Sequence, residues 1–223
     1  QCRLNSSDFI GESSFGGLGG GIYTLVAMDE NGCVFSKTDT LVAPQIPDIS
    51  FSDPFDVSLG MAINLNPSIG NIDVASVNWS SNEELVCPAC IEQNIVPLNS
   101  GFYTLEVSSI DGCVDADSIF IGVNKYRNIY TPNAFSPDFN GFNDYFTVYG
   151  GVEVAGIKQL RVFNRWGDLI YDQKEIENGI ESEGWDGTFE GQPLSPGVYV
   201  WVAEIQFIDG ISQTYSGDIT ILK

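Results

Sequence analysis

The stretch GIYTLVAMDENGCV, residues 21–34, decides the fold because the chain repeats it. Residues 101–114, GFYTLEVSSIDGCV, have the same order of residue types, with Tyr and Cys ten residues apart in both copies. Each copy is a run of β-branched and aromatic residues, an Asn-Gly or Asp-Gly pair, and a return run that opens with Cys. Such a pair between two such runs predicts a β-hairpin with a type I′ turn, in which both central residues have positive φ. The sequence therefore predicts a repeated hairpin unit.

Strand-forming segments continue through the rest of the chain. LRVFNRWGDLIYD (residues 160–172) and GVYVWVAEIQFI (residues 197–208) are rich in β-branched and aromatic residues, and turn-forming residues separate such segments at short intervals. DQKEIENGIESEG (residues 172–184) is the one segment with helical features, but its two glycines and weak apolar face favour a loop or a single turn. We therefore expect an all-β protein.

The spacing of the repeat indicates tandem immunoglobulin-like β-sandwich modules. The two copies lie about 80 residues apart, close to the length of such a sandwich, and Trp79 stands where one would bury an aromatic side chain on a central strand. VAPQIPDI (residues 42–49), with two prolines, is predicted to be a linker. We expect a partial module at residues 1–43, a complete module at 44–124 and a different unit at 125–223. A row of such modules forms a stiff spacer.

The charge of the chain excludes several classes of function. It has 9 Lys and Arg against 30 Asp and Glu, no His, and a net charge of −21. Nucleic acids and anionic membranes are bound through Lys and Arg, so a polyanion of this kind is repelled by both. Without His, nucleophilic catalysis by Ser–His and Cys–His pairs is excluded.

Catalysis by two carboxylates is the remaining enzymatic alternative, since a glycosidase needs no His. Glu181, Glu183 and Asp186 lie close together in the sequence. They fall in a glycine-containing acidic segment, however, and a solvated charge cluster is the commoner origin of such a pattern. We therefore predict a protein without enzymatic activity.

The five cysteines, Cys2, Cys33, Cys87, Cys90 and Cys113, all lie in the first half of the chain or just beyond it. A zinc site without His would need two close cysteine pairs, and the CPAC segment is the only one. Disulfides are the favoured alternative, and they indicate an oxidising, exported location. Cys2–Cys33 is one predicted bridge. For the other three cysteines, a local Cys87–Cys90 bridge and a bridge from either of these to Cys113 both remain open, with the local pair favoured.

Segments that the sequence lacks also bear on its location. No signal peptide is visible, the chain begins with Gln, and the longest apolar run near the end, VYVWVA (residues 198–203), is far shorter than the ~20 residues of a membrane span. Because the cysteines indicate export, we expect this chain to be the C-terminal part of a longer secreted protein.

NAFSPDFNGFNDYF (residues 133–146) combines turn-forming Asn, Asp and Gly with four Phe, and three interpretations of it are open. Alternating oxygen ligands around a glycine are typical of calcium loops, and Asp138, Asn140 and Asp144 follow part of that pattern. Calcium is the only cofactor that the sequence suggests. In the second interpretation, Asn and Asp satisfy backbone groups in tight turns while the Phe rings pack inward. The third is direct contact with a partner.

The last part of the chain carries five compact motifs. In chain order they are PNAFSPDFNGFNDYF (132–146), FNRWGDLIY (163–171), WDG (185–187), GVYVW (197–201) and YSGDITIL (215–222). In order and spacing they resemble the gliding-motility-associated C-terminal domain, the type B sorting domain of proteins exported by the type IX secretion system. The resemblance covers residues 128–223. The modules before it are similar to the immunoglobulin-like and SprB-type repeats of giant surface adhesins.

The resemblance implies a β-sandwich that acts as an export signal. Its implied partners are the type IX outer-membrane translocon with its shuttle proteins and a small outer-membrane β-barrel anchor of the PorP/SprF kind. The implied location is the cell surface, attached to the outer membrane. A signal made of folded surface needs exposed anchor residues, and Trp, Tyr and Arg contribute most to interface energy. The predicted recognition residues are Phe135, Phe139, Arg165, Trp166, Trp185, Asp186 and Lys223.

Two further expectations qualify this resemblance. The family's first motif more often reads Asn-Gly-Asp-Gly where this chain has Asp-Phe-Asn-Gly at residues 138–141, which weakens the inference of a bound cation. Strand addition at the terminal segment 219–223 is an alternative way for a partner to dock.

Two short motifs resemble the acceptor motif of the O-glycosylation of such exported proteins. They are DTL (residues 39–41) and DSI (residues 117–119), and each follows the Cys of its hairpin. The predicted acceptors are Thr40 and Ser118.

A carbohydrate-binding β-sandwich of a secreted polysaccharide-degrading enzyme is the alternative function. Such modules bind sugars on exposed Trp and Tyr rings, and four Trp are present. This interpretation requires two or three rings side by side on one exposed face. If Trp166, Trp185 and Trp201 are divided between the core and a turn, it fails.

Overall fold

The structure, a computed structural model, describes residues 1–11 and 14–222. In that part of the chain it consists of twenty β-strands and one short 3-10 helix, Glu181–Glu183. The predicted all-β class is therefore confirmed. Segment 172–184, predicted to be a loop or a single turn, contains this helical turn, but its first residues extend a long strand. Neither described range contains a helix that is long and apolar enough to cross a membrane.

The N-terminal unit is a three-stranded antiparallel sheet. Its strands are β1 (Cys2–Leu4), β2 (Gly21–Met28) and β3 (Val34–Leu41), with β2 in the centre. Every residue of β3 is exposed, and within β2 only Val26 is buried. The described residues of this unit therefore form an open sheet and not a closed sandwich.

The predicted bridge between Cys2 and Cys33 is wrong, because both are free thiols in the structure. Cys2 pairs with Ala27 on one side of β2. Cys33 lies on the other side of β2, where its carbonyl accepts the N–H of Asp29 at 3.1 Å. The central strand thus separates the two cysteines. Two strand spacings are roughly 9–10 Å, which exceeds the ~7 Å between Cα atoms that a disulfide can span.

The middle unit is a β-sandwich with its own core. Its strands are β4 (Ile49–Ser50), β5 (Phe55–Ser58), β6 (Ile63–Leu65), β7 (Ser68–Ile69), β8 (Val74–Ser81), β9 (Gln93–Ile95), β10 (Gly101–Ser109) and β11 (Val114–Asn124). One sheet has the order β5-β11-β10-β8, and the pairs β4–β7 and β6–β9 supply the second layer. Alternate residues of β10 face the core, since Tyr103, Leu105 and Val107 are fully buried.

The two repeated hairpins close with a turn that differs from the predicted type I′ turn. Only the glycines have positive φ, 83° at Gly32 and 82° at Gly112. The N–H of Gly32 donates to the Asp29 carbonyl at 3.2 Å, and that of Gly112 donates to the Ser109 carbonyl at 3.0 Å. Each loop therefore has three residues and ends in a left-handed glycine, which places a bulge beside the turn.

The CPAC loop covers Trp79. Cys87 and Cys90 form a disulfide, so the local bridge is the one present, and Cys113 is a free thiol. Trp79 is buried, as predicted, but β8 is an edge strand of its sheet and not a central one. The Trp79 Nε1–H donates to the Cys90 carbonyl at 2.8 Å, which fixes the loop over the ring.

The C-terminal unit is built around one five-stranded sheet. Its strands are β12 (Ile129–Tyr130), β13 (Ala134–Phe135), β14 (Tyr149–Gly150), β15 (Val154–Phe163), β16 (Leu169–Ile176), β17 (Thr188–Phe189), β18 (Gln192–Pro193), β19 (Gly197–Phe207) and β20 (Ser212–Ile221). The large sheet has the order β13-β20-β19-β15-β16, and β12–β14 and β17–β18 are two small pairs outside it.

One face of this sheet carries the core. Along β19, alternate residues from Trp201 to Phe207 are buried, and the residues between them are partly exposed. The segments before β15 and after β16 cover the buried face with the large side chains of Phe146 and Trp185. These two residues exchange backbone hydrogen bonds, both at 2.8 Å. The second layer is therefore tied together through residues far apart in the sequence.

The beginning and the end of the C-terminal unit lie side by side. β13 is parallel to the last residues of β20. Thr220 N–H donates to the Asn133 carbonyl at 3.0 Å, and Leu222 N–H donates to the Phe135 carbonyl at 2.8 Å. The end of β20 is thus paired with β13 on one side and β19 on the other. The predicted strand addition at this segment is therefore wrong for the described residues, because both edges are occupied as far as Ile221.

Residues 125–128 join the middle and C-terminal units, which are in direct contact. Lys125 Nζ lies 2.8 Å from Asn99 Oδ1 of the middle unit and 3.2 Å from Asp209 Oδ2 in the β19–β20 turn. Gly60, with φ of 86°, packs so closely that a Cβ there would lie 2.7 Å from the Val152 carbonyl oxygen. The junction therefore combines an ionic link with a tight backbone contact.

Candidate functional site

The NRWG hairpin between β15 and β16 presents an arginine and a tryptophan in a fixed arrangement. Asn164 Oδ1 accepts the N–H groups of Trp166 and Asp168, both at 2.9 Å, and Asn164 Nδ2 donates to Asp168 Oδ2 at 2.9 Å. The guanidinium of Arg165 lies 5.0 Å from the centre of the Trp166 ring, a cation–π contact. Trp166 is nevertheless 78% exposed. The hairpin therefore holds an aromatic ring and a cation at the surface.

A groove with a volume of about 460 Å³ opens beside this hairpin. It is lined by the exposed rings of Trp166 and Phe189 and by the more buried side chains of Ile170, Leu194 and Tyr199. Because these residues come from the hairpin, from the β17–β18 region and from β19, the groove exists only in the folded domain.

Tyr199 connects the groove to the core. Its ring meets the Trp185 ring edge to face, with centroids 5.2 Å apart, and its hydroxyl donates to the Ser195 carbonyl at 2.8 Å. Burial raises the pKa of Tyr199 above its ordinary value, although the nearby charge of Arg165 opposes this shift. The phenol is therefore neutral and committed to a backbone acceptor.

A second, smaller hollow of about 270 Å³ adjoins the first, because Leu194 lines both. Pro137, Phe139 and Leu222 are among its other lining residues, and its surface is mainly apolar. The exposed apolar surface of the domain therefore runs from the NRWG hairpin to the opening stretch.

Two of the predicted recognition residues, Phe135 and Trp185, are core residues, so the prediction that they contact a partner is wrong. Their side chains are 1% and 0% exposed, and their ring centroids lie 5.4 Å apart. The Trp185 Nε1–H donates to the Thr188 carbonyl at 2.9 Å. Rings of this size bury roughly 150–250 Å² each, and the second layer of the domain is built on them.

Asp186, also predicted to recognise a partner, holds the WDG turn. Its Oδ1 accepts the N–H of Thr188 at 3.0 Å and the hydroxyl of Thr188 at 2.8 Å. Next to it, Gly187 has φ of 74°, and a Cβ there would lie 2.7 Å from Pro137 Cγ. The turn thus packs against the opening stretch. Direct contact of Asp186 with a partner stays a prediction.

The opening stretch, residues 133–146, is organised by a buried carboxylate. Asp144 is 6% exposed. Its Oδ1 accepts the N–H of Phe139 at 2.6 Å, and its Oδ2 accepts the N–H of Gly141 at 2.7 Å. These bonds agree with the interpretation in which Asp side chains satisfy backbone groups in tight turns.

The four Phe rings of this stretch divide into two groups. Phe135 and Phe146 pack in the core, with centroids 6.3 Å apart. Phe139 and Phe142 are exposed, at 65% and 76%. The expectation that the rings pack inward is therefore wrong for the second pair, and Phe139 lies where a partner can reach it.

The predicted calcium ligands bond to one another and to the backbone. Asn140 Nδ2 donates to Asp138 Oδ2 at 2.9 Å, and both oxygens of Asp144 accept backbone N–H groups. Within residues 1–11 and 14–222, no group of three or more His, Cys, Asp or Glu side chains is placed to hold a metal ion. Calcium binding here stays a prediction. To bind the ion, Asp138 and Asp144 would have to give up their present hydrogen bonds to Asn140 and to the backbone.

Lys223, the last predicted recognition residue, lies outside the described residues.

The carboxylates of the acidic segment support the fold. Glu181 Oε1 accepts the Tyr149 hydroxyl at 2.8 Å, and Glu183 Oε2 accepts the Glu177 N–H at 2.7 Å. Burial and the Glu181 carboxylate raise the pKa of Tyr149, while burial with nearby carboxylates, including that of Glu183, raises the pKa of Tyr171. These acidic groups thus act as hydrogen-bond acceptors within the domain.

The aromatic platform that a carbohydrate-binding module requires is not formed by the three tryptophans of this domain. Trp185 and Trp201 are buried, and Trp166 stands alone on the NRWG turn. The rings are divided between core and turn, which is the arrangement that counts against sugar binding on stacked rings.

Thr40 and Ser118, the predicted glycosylation acceptors, are both exposed, but they lie at different positions of the repeated hairpin. Thr40 on β3 pairs with Ile22, and Ser118 on β11 pairs with Thr104. In each case the preceding aspartate accepts the acceptor residue's own N–H, at 3.0 Å for Asp39 and 2.7 Å for Asp117. Both residues are accessible on the surface, and their modification stays a prediction.

Phe189, Leu194 and Val198 belong to the groove but were absent from the residues predicted from the sequence. They lie in or next to a segment rich in Gly and Pro, FEGQPLSPGV (residues 189–198). The sequence signal that could have identified them is the presence of large apolar side chains within a segment rich in turn-forming residues. Their association with the NRWG hairpin depends on strand order, which the motifs alone do not specify.

Comparison with known families agrees with the motifs. Residues 129–221 match the family model described as the CHU_C type IX secretion signal domain. The match runs from the first residue of β12 to the last residue of β20. No curated protein matches the sequence.

Several solved structures are similar to the chain. Dimeric latent PorU from Porphyromonas gingivalis is 11% identical with a TM-score of 0.30, over 91% of this chain and 24% of that one. Immunoglobulin domains 1–5 of Sidekick-1 are 10% identical with a TM-score of 0.42, over 91% and 45%. A tetra-tandem repeat from the extending region of a large adhesion protein is 13% identical with a TM-score of 0.38, over 92% and 57%. The chain spans less than two thirds of each of these structures.

The family match and the fold describe the same unit. The matched residues contain the whole five-stranded sheet and all the strands that cover it. A type IX secretion signal implies export to the cell surface and interaction with the machinery of that system. Residues 129–221 of this chain match the CHU_C type IX secretion signal domain over all nine strands of the C-terminal unit, and they follow a unit with a β-sandwich fold.

Proposed function

We propose that this chain is the C-terminal region of a non-enzymatic cell-surface adhesin. The immunoglobulin-like units act as a stalk, and the secretion signal domain directs export and then anchors the protein at the outer membrane. The observation that carries the export role is the family match at residues 129–221. Its partners are the type IX outer-membrane translocon and its shuttle proteins, followed by a small β-barrel anchor of the PorP/SprF kind.

The division of the motif residues supports a signal that is recognised as a folded surface. Phe135 and Trp185 form the core, while Phe139, Arg165 and Trp166 are exposed. The exposed group lines two adjoining hollows that share Leu194, so its members come together only in the folded domain. Exposed Trp and Arg side chains on a rigid turn are the usual anchors of a protein interface.

The junction supports the role of the preceding module as a stalk. Lys125 links Asn99 to Asp209, and Gly60 packs against the Val152 carbonyl. These contacts limit rotation of the signal domain about residues 125–128. A stalk that ends in a fixed joint presents the signal domain in one orientation to a membrane partner.

A passenger fusion tests the export role. A soluble reporter fused to residues 125–223 is expected to reach the medium or the cell surface in cells with a working type IX system. The reporter is expected to stay in the periplasm when that system is deleted. Secretion that continues in the deletion strain would refute the proposal.

The anchoring role needs a separate measurement. The native chain is expected to remain with the outer-membrane fraction after washing with high salt, and chemical cross-linking should join it to a β-barrel protein. In the Trp166→Ala variant of the same chain, recovery with the outer membrane is expected to fall, because the change removes an exposed candidate contact and leaves the core intact. If the chain is recovered only in the medium, export stands and anchoring fails.

A further inference from the structure

We propose that the groove beside the NRWG hairpin binds a segment of the export or anchoring partner in which an apolar side chain lies next to a carboxylate. This inference rests on the proposed function, because it names the chemistry of the partner that the secretion signal domain meets. The groove is defined by the NRWG turn, β17–β18 and the start of β19.

The shape and lining of the groove suit an apolar side chain. Its volume of about 460 Å³ falls in the range of 300–1,000 Å³ typical of binding pockets. Trp166, Phe189 and Val198 all line it and are all exposed. Large apolar side chains grouped at the surface of an acidic domain are typical of a protein contact.

Arg165 supplies the charge that selects an anionic group. It is exposed and stacked on Trp166, and none of the ion pairs between described residues includes it. Although the chain carries a net charge of −21, Arg165 has no ion-pair partner among the described residues, so its guanidinium is available to an anionic group of a partner. A guanidinium binds a carboxylate through two parallel hydrogen bonds.

One carboxylate, that of Asp168, also lines the groove. One of its oxygens accepts the Asn164 side-chain N–H at 2.9 Å, and this bond is part of the turn. The negative charge of Asp168 repels the carboxylate of the bound segment and therefore lowers the affinity of the groove for that segment. Neutralising Asp168 is therefore expected to tighten binding.

The polar groups of the groove favour a peptide over a sugar. Both polar atoms of the Asn164 side chain are engaged in the turn, and the Tyr199 hydroxyl donates to the Ser195 carbonyl. The Asn164 amide and the Tyr199 hydroxyl, which could bond sugar hydroxyls, are thus already committed, while the Arg165 guanidinium makes no ion pair among the described residues. The neighbouring hollow at Pro137 and Phe139 allows an extended segment to continue along the surface.

Trp166 provides a specific probe of the groove. The other three tryptophans, Trp79, Trp185 and Trp201, are at most 4% exposed. The test uses the full chain labelled with ¹⁵N and two peptides, acetyl-Phe-Glu-Leu-amide and acetyl-Phe-Gln-Leu-amide. The Trp166 indole N–H signal, identified by its loss in Trp166→Phe, is expected to shift with both peptides. The Glu peptide is expected to bind about two- to fivefold more tightly at low salt, the usual size of an exposed ion pair.

Three variants make the result decisive. Arg165→Met should remove the preference for Glu over Gln, Arg165→Lys should retain part of it, and Asp168→Asn should increase it. Circular dichroism checks that each variant is folded, which is expected because residues 165 and 168 are exposed. Equal affinity for the two peptides in the unmodified chain, or a preference that survives in Arg165→Met, would overturn the proposal.

An export assay separates this proposal from the proposed function. Arg165→Met is introduced into the reporter fusion of residues 125–223. If the unmodified fusion is exported and Arg165→Met is not, the groove serves the proposed function. If the unmodified fusion is not exported, the proposed function fails whatever the peptides show. If both fusions are exported and anchored equally, the groove proposal alone is overturned.

Discussion

Lys125 Nζ lies 3.2 Å from Oδ2 of Asp209, across the junction between the immunoglobulin-like module and the secretion signal domain. Arg127 binds the same oxygen, and its guanidinium lies 5.1 Å from the centre of the Phe207 ring. The Asp209 side chain is only 3% exposed. A single buried carboxylate therefore receives both cations of the linker, and it is one of the contacts that hold the two units together.

Replacing this carboxylate should weaken the signal domain. Asp209→Asn keeps the shape but removes the charge that Lys125 and Arg127 share, and hydrogen bonds to charged groups contribute about 1.5–3 kcal/mol each. We expect the free energy of unfolding, measured by urea denaturation of the full chain, to fall by about 1–3 kcal/mol. Asp218→Asn is the control, because Asp218 is exposed and has no side-chain partner among the described residues. An equal loss in both variants would show that the junction contact is unimportant.

The same carboxylate predicts a response to acid. Burial alone would raise the pKa of Asp209, but hydrogen bonds from Arg127 and Lys125 outweigh it and hold the pKa below its ordinary value. The ionised Asp209 therefore contributes its full stabilisation of the folded chain at pH values above about 3.9, the pKa of Asp in the unfolded chain. This contribution is lost as the pH falls through the lower pKa that Asp209 has in the folded chain. Small-angle scattering between pH 7 and pH 3 should show a fixed joint down to about pH 4. Loosening above pH 5, or an identical acid response in Asp209→Asn, would contradict this origin.

A pair of glycines tests the backbone contact at the junction. Gly60 and Gly112 have nearly the same φ, 86° and 82°, but a Cβ at Gly60 would meet the Val152 carbonyl at 2.7 Å while Gly112 has open space. Both Ala variants should lose about 1 kcal/mol of unfolding free energy from the left-handed conformation. Gly60→Ala should also speed amide hydrogen exchange at Val152 and Glu153. Unchanged exchange there would mean that the two units are not in close contact in solution.

Trp185 and Trp166 should respond oppositely to truncation. Trp185→Ala removes a fully buried ring and is expected to cost about 3–5 kcal/mol in unfolding free energy. Trp166→Ala removes an exposed ring and should change it by no more than about 0.5 kcal/mol. Denaturant titrations of both variants give the comparison. A large loss of stability in Trp166→Ala would show that the NRWG hairpin is part of the core and not a recognition element.

Asp144 tests the interpretation of the opening stretch. Asp144→Ala leaves the N–H groups of Phe139 and Gly141 without their acceptor, which should lower the unfolding free energy by about 1–3 kcal/mol. If the carboxylate serves the turn alone, neither calcium nor EDTA should change the melting temperature of the unmodified chain. A rise in melting temperature with calcium that Asp144→Ala abolishes would instead support the calcium interpretation.

The local sequence pattern predicted where the strands lie, but it did not predict which side chains they contact. The repeated hairpins and the CPAC disulfide depend on residues near one another in the sequence, and each is present. The Cys2–Cys33 prediction failed because the order β1-β2-β3 puts a strand between the two residues. Strand order is set by packing over the whole sheet, and no short segment specifies it.

The two tryptophans of the motifs show the same limit. Trp166 and Trp185 each stand beside Gly and Asp in a turn-rich segment, so their local patterns are nearly alike. Trp185 is buried because its backbone pairs with Phe146, 39 residues earlier, and because its ring meets Phe135 and Tyr199. Among the described residues, Trp166 makes no backbone bridge and no ring–ring contact with a distant segment, although it borders the groove. Only long-range packing distinguishes a core ring from a surface ring here.

Because β13 pairs in parallel with the end of β20, the sheet of the C-terminal unit can be completed only when the last strand has been synthesised. β13 emerges from the ribosome early and remains without its neighbour until β20 has been made some eighty residues later. A chain interrupted before that point leaves the Phe135 side of the second layer open. A product that lacks the last residues of β20 therefore cannot acquire the native arrangement of this sheet.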